Sequence, residues 1–437
     1  MKPSDPSKTE ALHLRWWQVL YRYSPFDAGD SGWSLIMVST YFAAYLQAVH
    51  GTPASHFGWT ISAGALVIAV ASPLLGAVAD RRGRRQPYLR IAVIGVVAGT
   101  AGLAWAPSAA IALLLFLLAY ICANAAYTFF LAMIPAVTDK RDVYRVVSMT
   151  VGIGYAGSLV CMLTLSRLVP SNALAGRVFL PMALIYLLLA LPAMFWAPDF
   201  PAKSPEPLNI GAAYRQIRQT LANASRYRPL FRFLLGNFLC QNAIASVVTL
   251  MGLYSRNVMG FQASELASLF APAIVVAMLS AWFVFGPLVR LLGPKRSVLL
   301  ALLLWLLLFA AIALIRPGVV FTAATLQLDA KALFGLIVAP LAGLGLAGIW
   351  SSSQVLFTAL TPAEKSGEFW GLYNLSSRTA SVLGDATWSA ILSLFGEQLF
   401  GYQVAVAALA AYVLLGAMLI TTVPNVRPSD LNFIRSA

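Results

Sequence analysis

Residues 76–85 read Gly-Ala-Val-Ala-Asp-Arg-Arg-Gly-Arg-Arg, and a degenerate copy of this stretch occurs half a chain later. The copy, residues 286–296, reads Gly-Pro-Leu-Val-Arg-Leu-Leu-Gly-Pro-Lys-Arg. A shift of 210 positions aligns both glycines of one copy with those of the other. A repeat of half the chain length predicts two similar halves that pack against each other.

The composition places most of the chain in a membrane. Of the 437 residues, 59% are hydrophobic and 11% are charged, and the mean hydropathy is +0.77, whereas a soluble domain carries roughly 25% charged residues. An apolar run of ~20 residues is long enough to cross a bilayer as a helix. Twelve such runs are predicted, over 25–49, 59–79, 88–106, 108–135, 146–168, 178–197, 229–255, 264–289, 297–315, 332–357, 369–394 and 401–423.

Polar segments divide the twelve runs into two groups of six. The predicted units are an amphipathic N-terminal segment 1–24, a six-helix bundle 25–197, a linker 198–228, a six-helix bundle 229–423 and a tail 424–437. The N-terminal segment combines basic residues with Trp and Tyr, which is typical of a helix lying on a membrane surface. In the linker, Ile210, Tyr214, Ile217 and Leu221 recur at helical spacing, which predicts a second interfacial helix.

The net charge of +14 indicates the orientation of the chain rather than a nucleic-acid partner. On one side of the predicted spans, the connections hold Arg167, Arg177, Arg256, Arg316 and Lys331. The other Lys and Arg residues lie on the opposite side, apart from Arg378 inside span eleven. Because cytoplasmic loops carry the excess of Lys and Arg, both termini and the linker are predicted to be cytoplasmic.

Residues 76–85 resemble the signature loop of the major facilitator superfamily, G-x-x-x-D-[RK]-x-G-[RK]-[RK], at every fixed position. The resemblance implies an all-α membrane protein with twelve transmembrane helices, in two six-helix bundles related by a pseudo-twofold axis. It also implies a cytoplasmic gate that holds the outward-facing state and is formed by Gly76, Asp80, Arg81, Gly83, Arg84 and Arg85. The alternative is that the basic residues of this loop only enforce the topology.

A narrower resemblance is to the vacuole-effluxer-like branch of that superfamily. Residues 361–385 resemble its P-x(4)-G/A-E-F-F-G-L-Y…G-K…S-x-L-G-P segment, and residues 26–32 resemble its Y-D-x-A-N-S-A opening of span one. The branch includes amino-acid effluxers of fungal vacuoles and many bacterial members of undefined substrate. Asp30 stands where the branch usually has Asn, and Asp385 where it usually has Pro, so the substrate or coupling ion need not be that of the branch.

Once the loops and the ends of the spans are accounted for, four ionisable residues are left within the membrane, where a charge is costly and therefore indicates function. Arg378, near the middle of span eleven, is predicted to bind substrate or to gate, or else to pair with Asp385 between helices. Asp385 either forms that pair or binds a proton. Asp27 either caps span one, in the box Ser24-Pro25-Phe26-Asp27, or takes part in binding. Asp30, one turn deeper, is predicted to bind substrate or a proton.

Uncharged polar residues cluster on spans four, seven, ten and eleven. The superfamily lines its cavity mainly with spans one, four, seven and ten, so these side chains are candidates for substrate binding. The alternative for each is a hydrogen bond between helices. The candidates are Asn124, Tyr127, Gln241, Asn242, Trp350, Gln354 and Asn374.

The predicted function is secondary active transport of a small solute by alternating access, coupled to protons, with an amino acid or small carboxylate or zwitterion as substrate. The alternatives are a proton-coupled exporter of amphipathic, drug-like compounds and a transport-inactive scaffold or receptor. No P-loop motif occurs, and the three His lack partners at ligand spacing, so neither an enzyme, a cofactor nor a metal is predicted. The expected setting is a monomer in a bacterial cytoplasmic membrane, in contact with lipid, solute and protons.

Overall fold

The computed structural model describes residues 16–82, 85–137, 143–196, 227–262, 265–315, 320–323, 326–361, 369, 373, 376 and 382–425. The first half contains six helical spans. Span α1 runs over 16–50 as an α-helix Trp16–Trp33, a π-helix Ser34–Tyr41 and an α-helix Phe42–His50. The others are α2 (Ala54–Arg82), α3 (Gln86–Gly102 with the 3-10 turn Leu103–Trp105), α4 (Ala109–Val137), α5 (Val143–Leu165 with the 3-10 turn Ser166–Leu168) and α6 (the 3-10 helix Asn172–Val178, Phe179–Leu191 and the π-helix Pro192–Trp196).

The second half contains six further spans. They are α7 (Arg228–Asn257), α8 (Leu266–Ser280, the π-helix Ala281–Phe285 and Gly286–Leu292), α9 (Pro294–Leu314), α10 (Ala330–Leu360), α11 (Val382–Phe395) and α12 (Leu399–Thr421). Between α9 and α10, strands β1 (Val320–Ala323) and β2 (Leu326–Asp329) pair antiparallel, with Val320 opposite Asp329. This hairpin lies in a connection and adds a small β element that the sequence did not predict.

The twelve spans coincide with the twelve predicted apolar runs. Nine of the described spans are long and apolar enough to cross a membrane. The remaining three are α1, which a π-helix divides, and α5 and α11, whose described apolar stretches are shorter. The prediction of an all-α fold with twelve spans is therefore confirmed. The linker helix with Ile210, Tyr214, Ile217 and Leu221 lies outside the described residues.

The start of α1 differs from the prediction. Pro25 lies inside the α-helix Trp16–Trp33, so the interpretation of Asp27 as part of a capping box at a helix start is wrong. Val19, Tyr23 and Phe26 are buried on one face of this helix. Pro25 lacks a backbone N–H and therefore costs the helix one hydrogen bond. The burial of these three side chains stabilises the helix and offsets that cost. The predicted boundary at residue 24 therefore falls within a continuous span.

Each half forms a bundle whose helices approach closely at small residues. In the first, α1 packs on α4, α5 and α6, and a side chain at Gly157 of α5 would collide with Ala28 of α1. In the second, α7 packs on α11 and α12, with Gly236 against the Gly416 carbonyl. Small residues at helix crossings are typical of membrane bundles.

The two bundles meet where α1 contacts α7, α2 contacts α11 and α5 contacts α8. Because successive helices alternate in direction, the α1–α2, α7–α8 and α11–α12 connections lie at one end of the molecule, named here the distal end. The loop after α2 lies at the opposite end, named the motif end. The distal half of α2 contacts the second bundle, with Ser62 Oγ donating to the Val382 carbonyl at 2.8 Å.

Candidate functional site

The predicted gate lies at the motif end. Gly76, Asp80 and Arg81 belong to the last two turns of α2, and Arg85 directly precedes α3. The other two members, Gly83 and Arg84, lie outside the described residues. The backbone therefore places four of the six residues around one helix-to-helix turn, and the gating role stays a prediction.

Two carboxylates one turn apart on α1 face different helices. Asp27 is only 3% exposed and lies against α5, where its Oδ2 atom occupies the space that a side chain at Gly154 would fill. The Ser31 hydroxyl lies 2.9 Å from the same Cβ position. Asp30 is partly exposed and accepts a hydrogen bond from the Tyr186 hydroxyl of α6 at 3.2 Å. Within the described residues, the Asp27 carboxylate forms neither a hydrogen bond nor a salt bridge.

Asp385 lies at the contact between the bundles. It is fully buried in the first turn of the described part of α11. Gly58 of α2 approaches this turn so closely that a Cβ there would lie 3.5 Å from the Asp385 carbonyl oxygen and would collide with Ser389. Arg378 and Asn374 lie outside the described residues, so the predicted pairing of Arg378 with Asp385 stays a prediction.

Two of the predicted polar residues hydrogen-bond to backbone. The Asn124 amide donates to the Tyr120 carbonyl of its own helix at 2.9 Å. The Asn242 amide donates to the Phe238 carbonyl at 2.8 Å, and its Oδ1 accepts from the Leu383 N–H of α11 at 3.1 Å. Asn242 thus joins α7 to α11. A hydrogen bond between helices was the alternative to substrate binding for this residue.

The other predicted polar residues are spread over three helices. Tyr127 packs on Phe130 within α4, with ring centroids 5.9 Å apart, and Gln241 is buried in α7. Trp350 and Gln354 lie one turn apart on an exposed face of α10. In the part of the chain that the structure describes, the two α1 carboxylates lie closer together than these polar residues do. They are therefore the more compact candidate site.

Arg256 is a candidate that the sequence analysis missed, because it was assigned to an outer connection. It instead lies in the last turn of α7, is 7% exposed, and donates to the Gly252 carbonyl at 3.3 Å and to Gln47 Oε1 of α1 at 3.4 Å. Gln47 Nε2 in turn donates to Glu397 Oε2 at 3.4 Å. The sequence did contain a signal for a polar contact at this place, because Gln47 is a polar residue within the apolar end of span one.

A cavity of about 650 Å³ opens beside these residues at the distal end. None of the predicted binding residues lines it. Its lining consists of Gln47, Gly51, Thr52, Pro53, Ser55, Leu392, Ser393, Gly396 and Glu397. The cavity therefore lies between the bundles at the closed distal end and apart from the α1 carboxylates.

The chain is similar to known proteins in both sequence and fold. The chain is 24% identical over 426 residues to the MFS-type transporter YxiO of Bacillus subtilis, over 93% of this chain and 95% of that protein. The nucleoside transporter NupG superposes with a TM-score of 0.71 at 12% identity, over 93% of this chain and 99% of NupG. A POT family transporter in complex with 5-aminolevulinic acid gives a TM-score of 0.68 at 12% identity, over 93% and 96% of the two chains.

At these identities the solved structures show the fold alone. The family profile described as Major Facilitator Superfamily matches residues 30–384, which span most of both bundles. Together with the twelve spans, this match makes the chain a multi-pass membrane transporter. The chain belongs to the major facilitator superfamily.

Proposed function

We propose that the protein is a proton-coupled secondary transporter that moves an amino acid, or another small carboxylate or zwitterion, by alternating access. The observation that carries the proposal is the pair of carboxylates on α1, with Asp27 buried against Gly154 and Asp30 bonded to Tyr186. In the same proposal the motif end and both termini face the cytoplasm, in accordance with the distribution of Lys and Arg.

Asp27 is the proposed proton-binding group. Burying an ionised carboxylate without a partner is costly, and Asp30 adds a second negative charge one turn away. A proton bound to Asp27 neutralises the buried carboxylate and removes its repulsion from Asp30. A group that holds a proton in the closed bundle and releases it to water is what proton coupling requires.

Asp30 is the proposed substrate contact. It is more exposed than Asp27, and the Tyr186 hydroxyl fixes one of its carboxylate oxygens. A carboxylate at this position suits an ammonium group, since charge-assisted hydrogen bonds are the stronger ones. Arg378 is proposed to hold the carboxylate of the same solute through its bidentate guanidinium.

The test begins with a thermal-shift screen of amino acids, organic acids and cationic amphiphiles, because a ligand of the native state raises its apparent stability. Compounds that bind are then added to proteoliposomes that contain a pH-sensitive dye. We expect solute-dependent acidification with the parent protein, and at least about a tenfold loss with Asp27→Asn or Asp30→Asn.

Asp329→Asn is the matched control. It also converts a carboxylate to an amide, but at an exposed position where Asp329 Oδ1 caps α10 by accepting from the Ala332 N–H at 2.8 Å, and Asn caps equally well. If both α1 variants acidify the vesicles at the parent rate, the proton assignment is wrong. A response to the amphiphiles alone would favour the exporter.

A further inference from the structure

We propose that Gln47, Arg256 and Glu397 form a latch that fastens the two bundles together at the distal end. The inference rests on membership of the transporter superfamily and not on proton coupling or on any substrate. Gln47 belongs to the last turn of α1 in the first bundle. Arg256 lies in the last turn of α7, and Glu397 lies in the α11–α12 connection, so both charges come from the second bundle.

The Gln47 carboxamide lies between a cation and an anion. Its oxygen accepts from Arg256 and its nitrogen donates to Glu397, both at 3.4 Å. A carboxamide is the side chain that offers an acceptor and a donor on one planar group. One residue of the first bundle therefore satisfies two charges of the second, and no charged residue of the first bundle is needed.

A backbone contact strengthens the same junction. The Ser55 N–H, in the first turn of α2, donates to Glu397 Oε1 at 3.3 Å. The free N–H groups at a helix start carry partial positive charge, which favours the carboxylate. Glu397 is thus held by two different helices of the first bundle.

Close packing seals the interface beneath the latch. A Cβ at Gly252 of α7 would collide with the Ser39 carbonyl of α1, so the two backbones touch one turn below Arg256. Ser39 lies in the π-helix of α1, in which the Thr40 hydroxyl donates to the Leu35 carbonyl at 2.7 Å. Opening the distal end must therefore break the latch and separate these backbones.

The latch is tested by electron–electron distance measurements on the purified full-length protein. Spin labels are placed at Trp105→Cys and Leu314→Cys, which are 71% and 77% exposed at the distal ends of α3 and α9, one in each bundle. The native thiols Cys122, Cys161 and Cys240 are first replaced by Ala. We expect the parent to show a single distance, and Gln47→Ala or Arg256→Gln to add a longer one.

The open-to-closed ratio is expected to rise at least about tenfold, because hydrogen bonds to charged groups are the stronger class. Gln47→Leu is a second variant, since it keeps a similar side-chain volume but offers neither an acceptor to Arg256 nor a donor to Glu397. Glu265→Gln is the control, because Glu265 pairs with Lys331 at 3.1 Å on the exposed surface of one bundle, and its distances should match the parent.

Arg256→Gln removes a buried cation and can fail to fold, so the decision rests on the two Gln47 variants. If Gln47→Ala and Gln47→Leu both give the parent's distance distribution, the latch is wrong, whatever the transport assays show. A longer distance in both, with none in Glu265→Gln, supports it.

Discussion

A single glycine provides the space for the Asp27 carboxylate. At Gly154 of α5, an added Cβ would collide with Asp27 Oδ2 and would lie 2.9 Å from the Ser31 hydroxyl. We therefore expect Gly154→Ala to lower the free energy of unfolding by about 1–3 kcal/mol, the usual cost of overpacking. Because the displaced group is the proposed proton carrier, solute-dependent acidification should fall as well. Thermal unfolding in detergent measures the first effect, and the proteoliposome assay measures the second.

Gly335 offers a matched control for this substitution. It lies in α10, and a Cβ there would meet nothing within 4 Å. Gly335→Ala should therefore be neutral or stabilise the helix by roughly 0.5–1 kcal/mol, since Ala is the better helix former. Equal behaviour of the two Ala variants would contradict the proposed packing of Asp27 on α5.

The sequence identified Asp27 and Asp30 as candidates but misjudged the surroundings of Asp27. The Ser-Pro-x-Asp pattern is also a helix-start signal, and only the burial of Val19 and Tyr23 shows that the helix continues through Pro25. Arg256 was missed for a related reason. Its burial depends on Gln47, 209 positions away, and no local pattern reveals such a contact.

At the scale of elements, α7 and α11 are joined by the side chain of Asn242. The residue is fully buried. Its Oδ1 accepts a hydrogen bond from the Leu383 N–H, while its side-chain NH2 group donates to the Phe238 carbonyl of its own helix. Asn242→Ala leaves that N–H without its partner, and a buried unsatisfied donor costs about 1–3 kcal/mol. We expect a corresponding fall in thermal stability with little change in the affinity for a solute.

Asn242→Asp separates this structural role from substrate binding. It keeps the acceptor for Leu383 but loses the donor to the Phe238 carbonyl. Because the new carboxylate is buried in a membrane span and is costly when ionised, its stability should lie below that of the parent. If Asn242→Ala instead abolishes the thermal shift by a solute and unfolds at the parent temperature, Asn242 belongs to the binding site.

The elements were largely predictable because a bilayer demands long apolar runs, and twelve of them stand out in the sequence. The β1–β2 hairpin was not predictable in the same way. Residues 324 and 325 between the strands are Ala and Thr, whereas two-residue hairpins favour Asn-Gly or Asp-Gly. The π-helix of α1 carries no comparable sequence signal, since its residues Ser34–Tyr41 fit an α-helix equally well.

At the scale of the whole molecule, the half-length repeat and the family fold require two bundles, but they do not say which end is closed. That information comes from contacts between the bundles. Gln47 with Arg256, and Gly58 with Ser389, all lie in the distal half. The described conformation is therefore closed at the distal end.

This closure predicts that a covalent link in place of the latch stops transport. In a background without native thiols, Gln47→Cys and Glu397→Cys place one thiol on each bundle at a contact of 3.4 Å between the original side chains. A short bis-methanethiosulfonate, which forms a disulfide bond with each thiol, should hold the distal end shut, so that solute-dependent acidification is lost and a reductant restores it. Glu265→Cys with Lys331→Cys is the control, because the same reagent then joins two residues of one bundle at the same end and leaves the rocking motion free. Persistent acidification in the first pair after complete cross-linking would mean that the distal end does not open during transport.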